Sequence, residues 1–171
     1  MEYKASLDTL AKIISAGTVI LFLFIAYNSL QVLTVTQGDP TAILIHGGVL
    51  LLLIVVILGG YLFAPQTYTV DGTDLTIVRP MNNKKIKLTD ITEIRTIAEG
   101  EMTGTIRTFG NGGLFGYYGK YYNSKIGNMT FYATQRKNQI LIQTIQGHKI
   151  IITPDDQSII GKLNEKLTTK P

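Results

Sequence analysis

Apolar and polar positions divide the chain into three regimes. From residue 13 to residue 38 no charged side chain occurs, and the centre of that run reads ILFLFIAY. A second uncharged run covers residues 41–64 through GGVLLLLIVVILGGYLF and ends at Pro65. About 20 apolar residues at ~1.5 Å rise cross a hydrocarbon core of roughly 30 Å, so both runs are long enough to span it. Too little polar chain remains to wrap two such helices as the core of a soluble fold. A cleaved signal peptide does not account for the first run either, because the run is too long and no A-x-A-like site follows it. The pattern predicts an anchor over residues 1–65, with membrane helices at about 13–33 and 42–64.

Beyond residue 65 the runs become short and β-like, with turn residues between them. TYTV, the turn DGTD and LTIVR read as a hairpin, Asp71-Gly72 supplying the positive-φ positions of a tight turn. KKIKL alternates, with Ile86 and Leu88 facing in and Lys85 and Lys87 facing out. ITEIRTI, NMTFYAT, ILIQTI and HKIIIT complete seven expected strands, and the short connections predict that all are antiparallel. After Pro154-Asp155-Asp156 the spacing of Ile159, Ile160, Leu163 and Leu167 predicts a helix, with Asp155 as its N-cap. The expected domain, residues 66–171, is a seven-stranded sandwich or barrel closed by a C-terminal helix.

Charge orients the anchor. Lys4 and Lys12 precede the first run, and Arg79, Lys84, Lys85 and Lys87 follow the second. The connection around Gly38-Asp39-Pro40 carries no Lys or Arg. By the positive-inside rule both termini are expected in the cytoplasm, with the connection outside. The chain has no cysteine, which excludes disulfides, thiolate catalysis and Cys-ligated metals.

One segment fits none of these patterns. RTFGNGGLFGYYGKYYN pairs glycines with aromatics. Four of the nine tyrosines and seven of the seventeen glycines lie between Gly104 and Gly127. Together with YTVDGTDLTIVRP, IKLTDITEIR, FYATQRKNQILIQT and IIITPDD, it makes the chain resemble bacterial membrane proteins with a pleckstrin-homology (PH-like) domain. The resemblance implies a PH-like fold and a location in the bacterial cytoplasmic membrane. It implies no particular activity, because fold does not fix function.

Candidate chemistry is sparse. GNGGLFG ends without the Gly-Lys-Ser/Thr of a phosphate loop, and a dinucleotide fingerprint would need a third glycine where Phe115 stands. GLFG and GYYG have the form of a GXXG loop, but they lie between expected strands, which argues against nucleic acid. The first hairpin, with Asp71 and Asp74, lacks the basic residues that lipid-binding PH domains carry there. Lys84, Lys85 and Lys87 could instead meet anionic headgroups, or form a solvated strand face. His46 reads as a satisfied interfacial residue and His148 as a surface one, so no metal set appears. Asp155 and Asp156 read as helix capping. The sequon Asn128-Met129-Thr130 has no consequence in a cytoplasmic domain.

The expectation is therefore a non-catalytic, membrane-tethered interaction or scaffolding module without cofactors or nucleic acid. Its partners would be the bilayer and a membrane or cytoplasmic protein. The alternatives are a peripheral lipid-sensing domain, or an accessory subunit of a membrane enzyme or transporter. Its candidate contact residues are Arg107, Phe109, Phe115, Tyr117, Tyr118, Lys120, Tyr121 and Tyr122, carried on a long loop. That loop would either complete a core with its rings or present them to a partner.

Overall fold

The computed structural model describes residues 1–168. A short strand, β1 (Glu2–Lys4), leads into two long helices, α1 (Thr9–Val35) and α2 (Pro40–Leu62). Asp8 caps α1 by accepting the N–H of Ala11, and Asp39 caps α2, which begins with proline. Gln37 and Gly38, both at positive φ, turn the chain between them. Both helices are long and apolar enough to cross a membrane, and only 11 % and 6 % of their most apolar windows are buried. They are therefore not the interior of a soluble fold.

The rest is mainly β. The strands are β2 (Thr67–Val70), β3 (Asp74–Val78), β4 (Lys84–Lys87), β5 (Ile91–Thr96), β6 (Ile106–Gly113), β7 (Gly116–Asn123), β8 (Gly127–Ala133), β9 (Ile140–Thr144) and β10 (Lys149–Ile152). A terminal helix, α3 (Ser158–Thr168), follows. They form a four-stranded sheet, β1-β2-β3-β4, and a six-stranded sheet, β5-β9-β10-β8-β7-β6. The aliphatic side chains that alternate inward meet between the sheets: Leu75, Ile77 and Ile86 against Ile140, Ile142, Ile150 and Ile152. Ile159 and Leu163 of α3 are fully buried there, with Ile160 and Leu167 partly so. The stripe expected of the terminal helix is the one that packs.

The expected architecture of helical hairpin, β-domain and terminal helix stands, and four details differ. The seven expected strands are β2–β5 and β8–β10. Three more exist: β1, read only as a lysine-bearing flank, and the glycine-aromatic segment, which is a hairpin of β6 and β7 and not a loop. Not all pairs are antiparallel, because β10 lies parallel to β8. The β9–β10 hairpin folds back so that β9 joins β5 and β10 joins β8, and two reversals restore the original direction. Lastly, Asp155 does not cap α3. It accepts the N–H (3.0 Å) and hydroxyl (2.6 Å) of Ser6, while Asp156 accepts from Ser158 at the helix start.

Candidate functional site

The β6–β7 hairpin forms a tongue at the junction between the β-domain and the helices. Gly110 and Gly119 sit opposite each other in its register, at φ 108° and 123°. A Cβ on either would collide with the backbone carbonyl region of the other strand. Only glycine lets the two strands approach this closely. The tip is Leu114-Phe115, and Phe115 takes φ 56°, an uncommon conformation for a bulky side chain. The Asn111 amide stiffens the tip. It donates to Leu114 O (2.6 Å) and to the Tyr118 hydroxyl (2.7 Å), and its oxygen accepts from Leu114 N (3.1 Å).

This tip docks on both helices. Ser15 of α1, buried, donates to Gly113 O (3.3 Å) and accepts from Phe115 N (2.8 Å). Ile14 lies where a side chain on Gly113 would be. Tyr118 donates its hydroxyl proton to Gly60 O near the end of α2. The Phe115 ring stands edge-on to Tyr61, with centroids 5.8 Å apart at 82°. Leu114 covers Gly60.

A second set of bonds meets at Asp8. Its carboxylate accepts from Ala11 N (2.8 Å), the Tyr117 hydroxyl (3.0 Å), Arg136 N (3.2 Å) and Arg136 Nε (3.3 Å). Its own N–H donates to Thr134 O (3.1 Å). Burial works against the charged carboxylate, but these donors together outweigh it and hold the Asp8 pKa below the ordinary value. Burial, then the hydrogen bond to Asp8 and its charge, push the Tyr117 phenol up to about 12. At neutral pH the pair is thus a phenol donating to a carboxylate. One acidic side chain joins the start of α1, the tongue and the β8–β9 turn.

The eight expected contact residues divide three ways. Tyr117 and Tyr121 are buried on the outer face of the six-stranded sheet, where Tyr121 stacks on Phe131 at 4.1 Å. Phe115 and Tyr118 meet the helices. Arg107, Phe109, Lys120 and Tyr122 remain exposed, Phe109 at 77 %. The tongue is therefore core filler on one face and open surface on the other. Sequence reasoning missed Asp8, Ser15, Gly60, Asn111 and Arg136. Asp8 alone carried a signal, as an N-cap residue type before an apolar run. His46, expected to be satisfied, has a buried Nδ1 without a hydrogen-bond partner.

Beside the tongue an open groove of about 750 Å³ runs between the 97–105 loop and Arg136, floored by Tyr117, Tyr121 and Phe131. Charges of both signs, Glu99, Arg136 and Lys137, stand on its rim. The loop is held by Glu101, which takes two hydrogen bonds from Arg95 (2.8 and 2.5 Å). Buried Asn123 pins it from below through Thr103 O and the Thr105 hydroxyl. Among the described residues no group of three or more His, Cys, Asp or Glu could hold a metal.

No curated protein and no solved structure matches the chain. Residues 66–168, more than half of its length, match the family model described as bacterial PH domain. The chain therefore belongs to the bacterial PH-domain family.

Proposed function

We propose that this chain is a non-catalytic module that spans the membrane by α1 and α2 and holds a protein partner at the cytoplasmic surface. Membership of a family of protein- or lipid-interaction domains supports the coarse role. The observation that carries the finer one is the docking of the tongue. A domain meant only to float on a tether needs no hydrogen bonds to its anchor, yet this one has them from Asp8, Ser15 and Gly60. They fix the height and angle of the β-domain, so that Phe109, Tyr122 and Ile106 are presented in one orientation. Those three side chains are 77 %, 42 % and 58 % exposed, on or beside an edge strand, where a partner would cover them. The pairing of β1 with β2 supports both chain ends lying on one side, and the Lys/Arg bias supports that side being the cytoplasm.

A lipid-sensing role has its own observation. Met81 N donates to Leu62 O (3.1 Å), which sets the exposed Met81 beside the end of α2. Photocrosslinking separates the two readings. With benzoylphenylalanine at Phe109 or Tyr122, membranes should yield a discrete protein adduct, identified by mass spectrometry. The same probe at Met81 should yield lipid adducts whichever reading holds. Lipid adducts alone at Phe109 and Tyr122 would replace the protein-partner reading with the lipid one.

A further inference from the structure

The two sheets are unequal, and the inequality leaves a trough. All four strands of the first sheet feed the core between the sheets. From the second sheet come only β5, β9, β10 and Tyr132 of β8. Nothing from β7 or β6 reaches that core, so the face these strands share with Lys120 and Thr130 overhangs past β4. The resulting trough, about 350 Å³, has Lys120, Thr130 and Tyr132 on its floor and β4 as its wall.

The wall is a free strand edge. All four residues of β4, Lys84 to Lys87, line the trough, not only the alternate ones that share a face. Leu88 N donates to Thr73 O (2.8 Å), in register with the pairs Asp74↔Lys87 and Thr76↔Lys85. Hydrogen-bonded and non-bonded pairs alternate along an antiparallel ladder. Ile86 and Lys84 therefore turn their backbone groups to β3, and Lys85 and Lys87 turn theirs outward. Among the described residues those outward groups meet no backbone partner in another segment.

Charge selects what can lie there. Lys84, Lys85, Lys87 and Lys120 surround the trough against a single lining carboxylate, Asp90. None of the four lysines forms an ion pair among the described residues, and Lys120 is steadied by the Thr130 hydroxyl at 2.8 Å. Lysines on an edge repel a second copy of the same edge. They would equally welcome an acidic strand. We propose that this trough takes an extended acidic segment of a partner protein, which adds to β4 as a fifth strand of the first sheet and covers the overhanging face of β7. The proposal rests on the interaction-module reading and names the partner's chemistry. A lone phosphate would use the lysines and leave the strand edge unused.

The test uses the full chain in nanodiscs of neutral phosphatidylcholine. Three fluorescent peptides of about seven residues, a strand's usual length, are compared: alternating Glu and Thr, alternating Lys and Thr, and a Glu–Pro peptide of repeated Glu-Pro-Pro-Glu, whose prolines fall in both phases so that either edge loses donors. The Glu–Thr peptide should bind, the Lys–Thr peptide should not, and Glu–Pro, which lacks half the donors, should bind far more weakly. Lys85→Pro removes an outward N–H at a position where an edge strand tolerates proline. It and Lys120→Glu should each weaken Glu–Thr binding by roughly tenfold, a free-energy change of ~1.4 kcal/mol. If thermal unfolding shows that Lys85→Pro does not fold, Lys84→Glu takes its place. Equal binding of Glu–Pro and Glu–Thr, displacement by inorganic phosphate, or binding only with phosphatidylglycerol present would overturn the strand proposal in favour of an anion site. A dimer broken by Lys120→Glu would assign the trough to a second copy. No Glu–Thr binding at all would also sink it, while protein adducts at Phe109 and Tyr122 would still uphold the interaction module.

Discussion

The β-domain has two hydrophobic cores, and they are built for different tasks. The core between the sheets is mostly aliphatic, draws on both sheets and α3, and contains nothing from α1 or α2. The core on the outer face of the six-stranded sheet is mixed, with Ile126, Met129, Leu141 and Ile151 beside its three rings. It gathers Tyr117, Tyr121 and Phe131 around Ala11, and Ala11 belongs to α1. The first core holds the domain together. The second joins it to the helices, and its aromatic rings carry hydroxyls that reach Asp8 and Asn111 O. Aliphatic packing is non-directional, whereas phenol hydrogen bonds fix an angle. The first core has such a bond too, from the Tyr68 hydroxyl to Tyr132 O, but it stays within the β-domain, whereas that of Tyr117 reaches the cap of α1.

The comparison breaks most visibly at Leu163. Leu163→Ala leaves a cavity in the first core and should cost ~2–5 kcal/mol. Thermal unfolding of the full chain in detergent should show the drop. Hydrogen exchange should show whether the tongue opens with the rest. Equal loss of protection in β2–β3 and β6–β7 would mean that the two cores are one cooperative unit.

Gly119→Ala attacks the second core alone. The added methyl meets the Phe109 carbonyl at a positive-φ site, so the cost should exceed ~1 kcal/mol. Exchange should rise in β6–β7 and stay unchanged in β2–β3. A smaller step is Tyr118→Phe, which removes the bond to Gly60 O together with the one accepted from the Asn111 amide and should cost ~0.5–1.5 kcal/mol for each. Its signature is a shift in the distance between spin labels on α2 and β9 without any change in the β2–β3 exchange. An unaltered distance would mean that this bond does not set the domain's angle.

These sites differ also in how far the amino-acid order revealed them. The first core was legible because Leu75, Ile77, Ile86, Ile140, Ile142 and Ile150 alternate at the period of a strand. The helical spacing of Ile159 and Leu163 named their partner surface. The tongue was not legible as strands, because Gly110, Gly112, Gly113, Gly116 and Gly119 erase the alternation and lower β-propensity. Its pairing depends on glycines that face each other across two strands, which no single-strand pattern reports. The Asp8 junction joins residues more than a hundred positions apart. The eight candidates on this segment were alike by type, with core and surface readings both open, and only the structure separates exposed Phe109 and Tyr122 from buried Tyr117 and Tyr121.

The smallest predicted effect concerns pH. Arg95, hydrogen-bonded to Glu101, is the main cause that holds the Glu101 pKa down to about 2 from 4.5. A depressed carboxylate pKa stabilises fully above the ordinary value and ceases to do so as pH falls through the folded one. The 97–105 loop should therefore loosen between pH 4.5 and about 2, while the aliphatic core is indifferent over that range. Amide exchange at Ala98, whose N–H donates to Glu101, reports it. Glu101→Gln should abolish most of the pH dependence.

Pairing of Glu2–Lys4 with Thr67–Val70 has a consequence for biosynthesis. The first strand emerges from the ribosome before either long helix, and its partner emerges only after both. In the membrane-spanning arrangement proposed above, the four-stranded sheet cannot close until the chain has gone out and come back. If one helix failed to insert, the two strands would be stranded in different compartments, and Ser6 could not reach Asp155. In that arrangement the finished sheet would act as a proofreading step, which only a correctly threaded chain could pass.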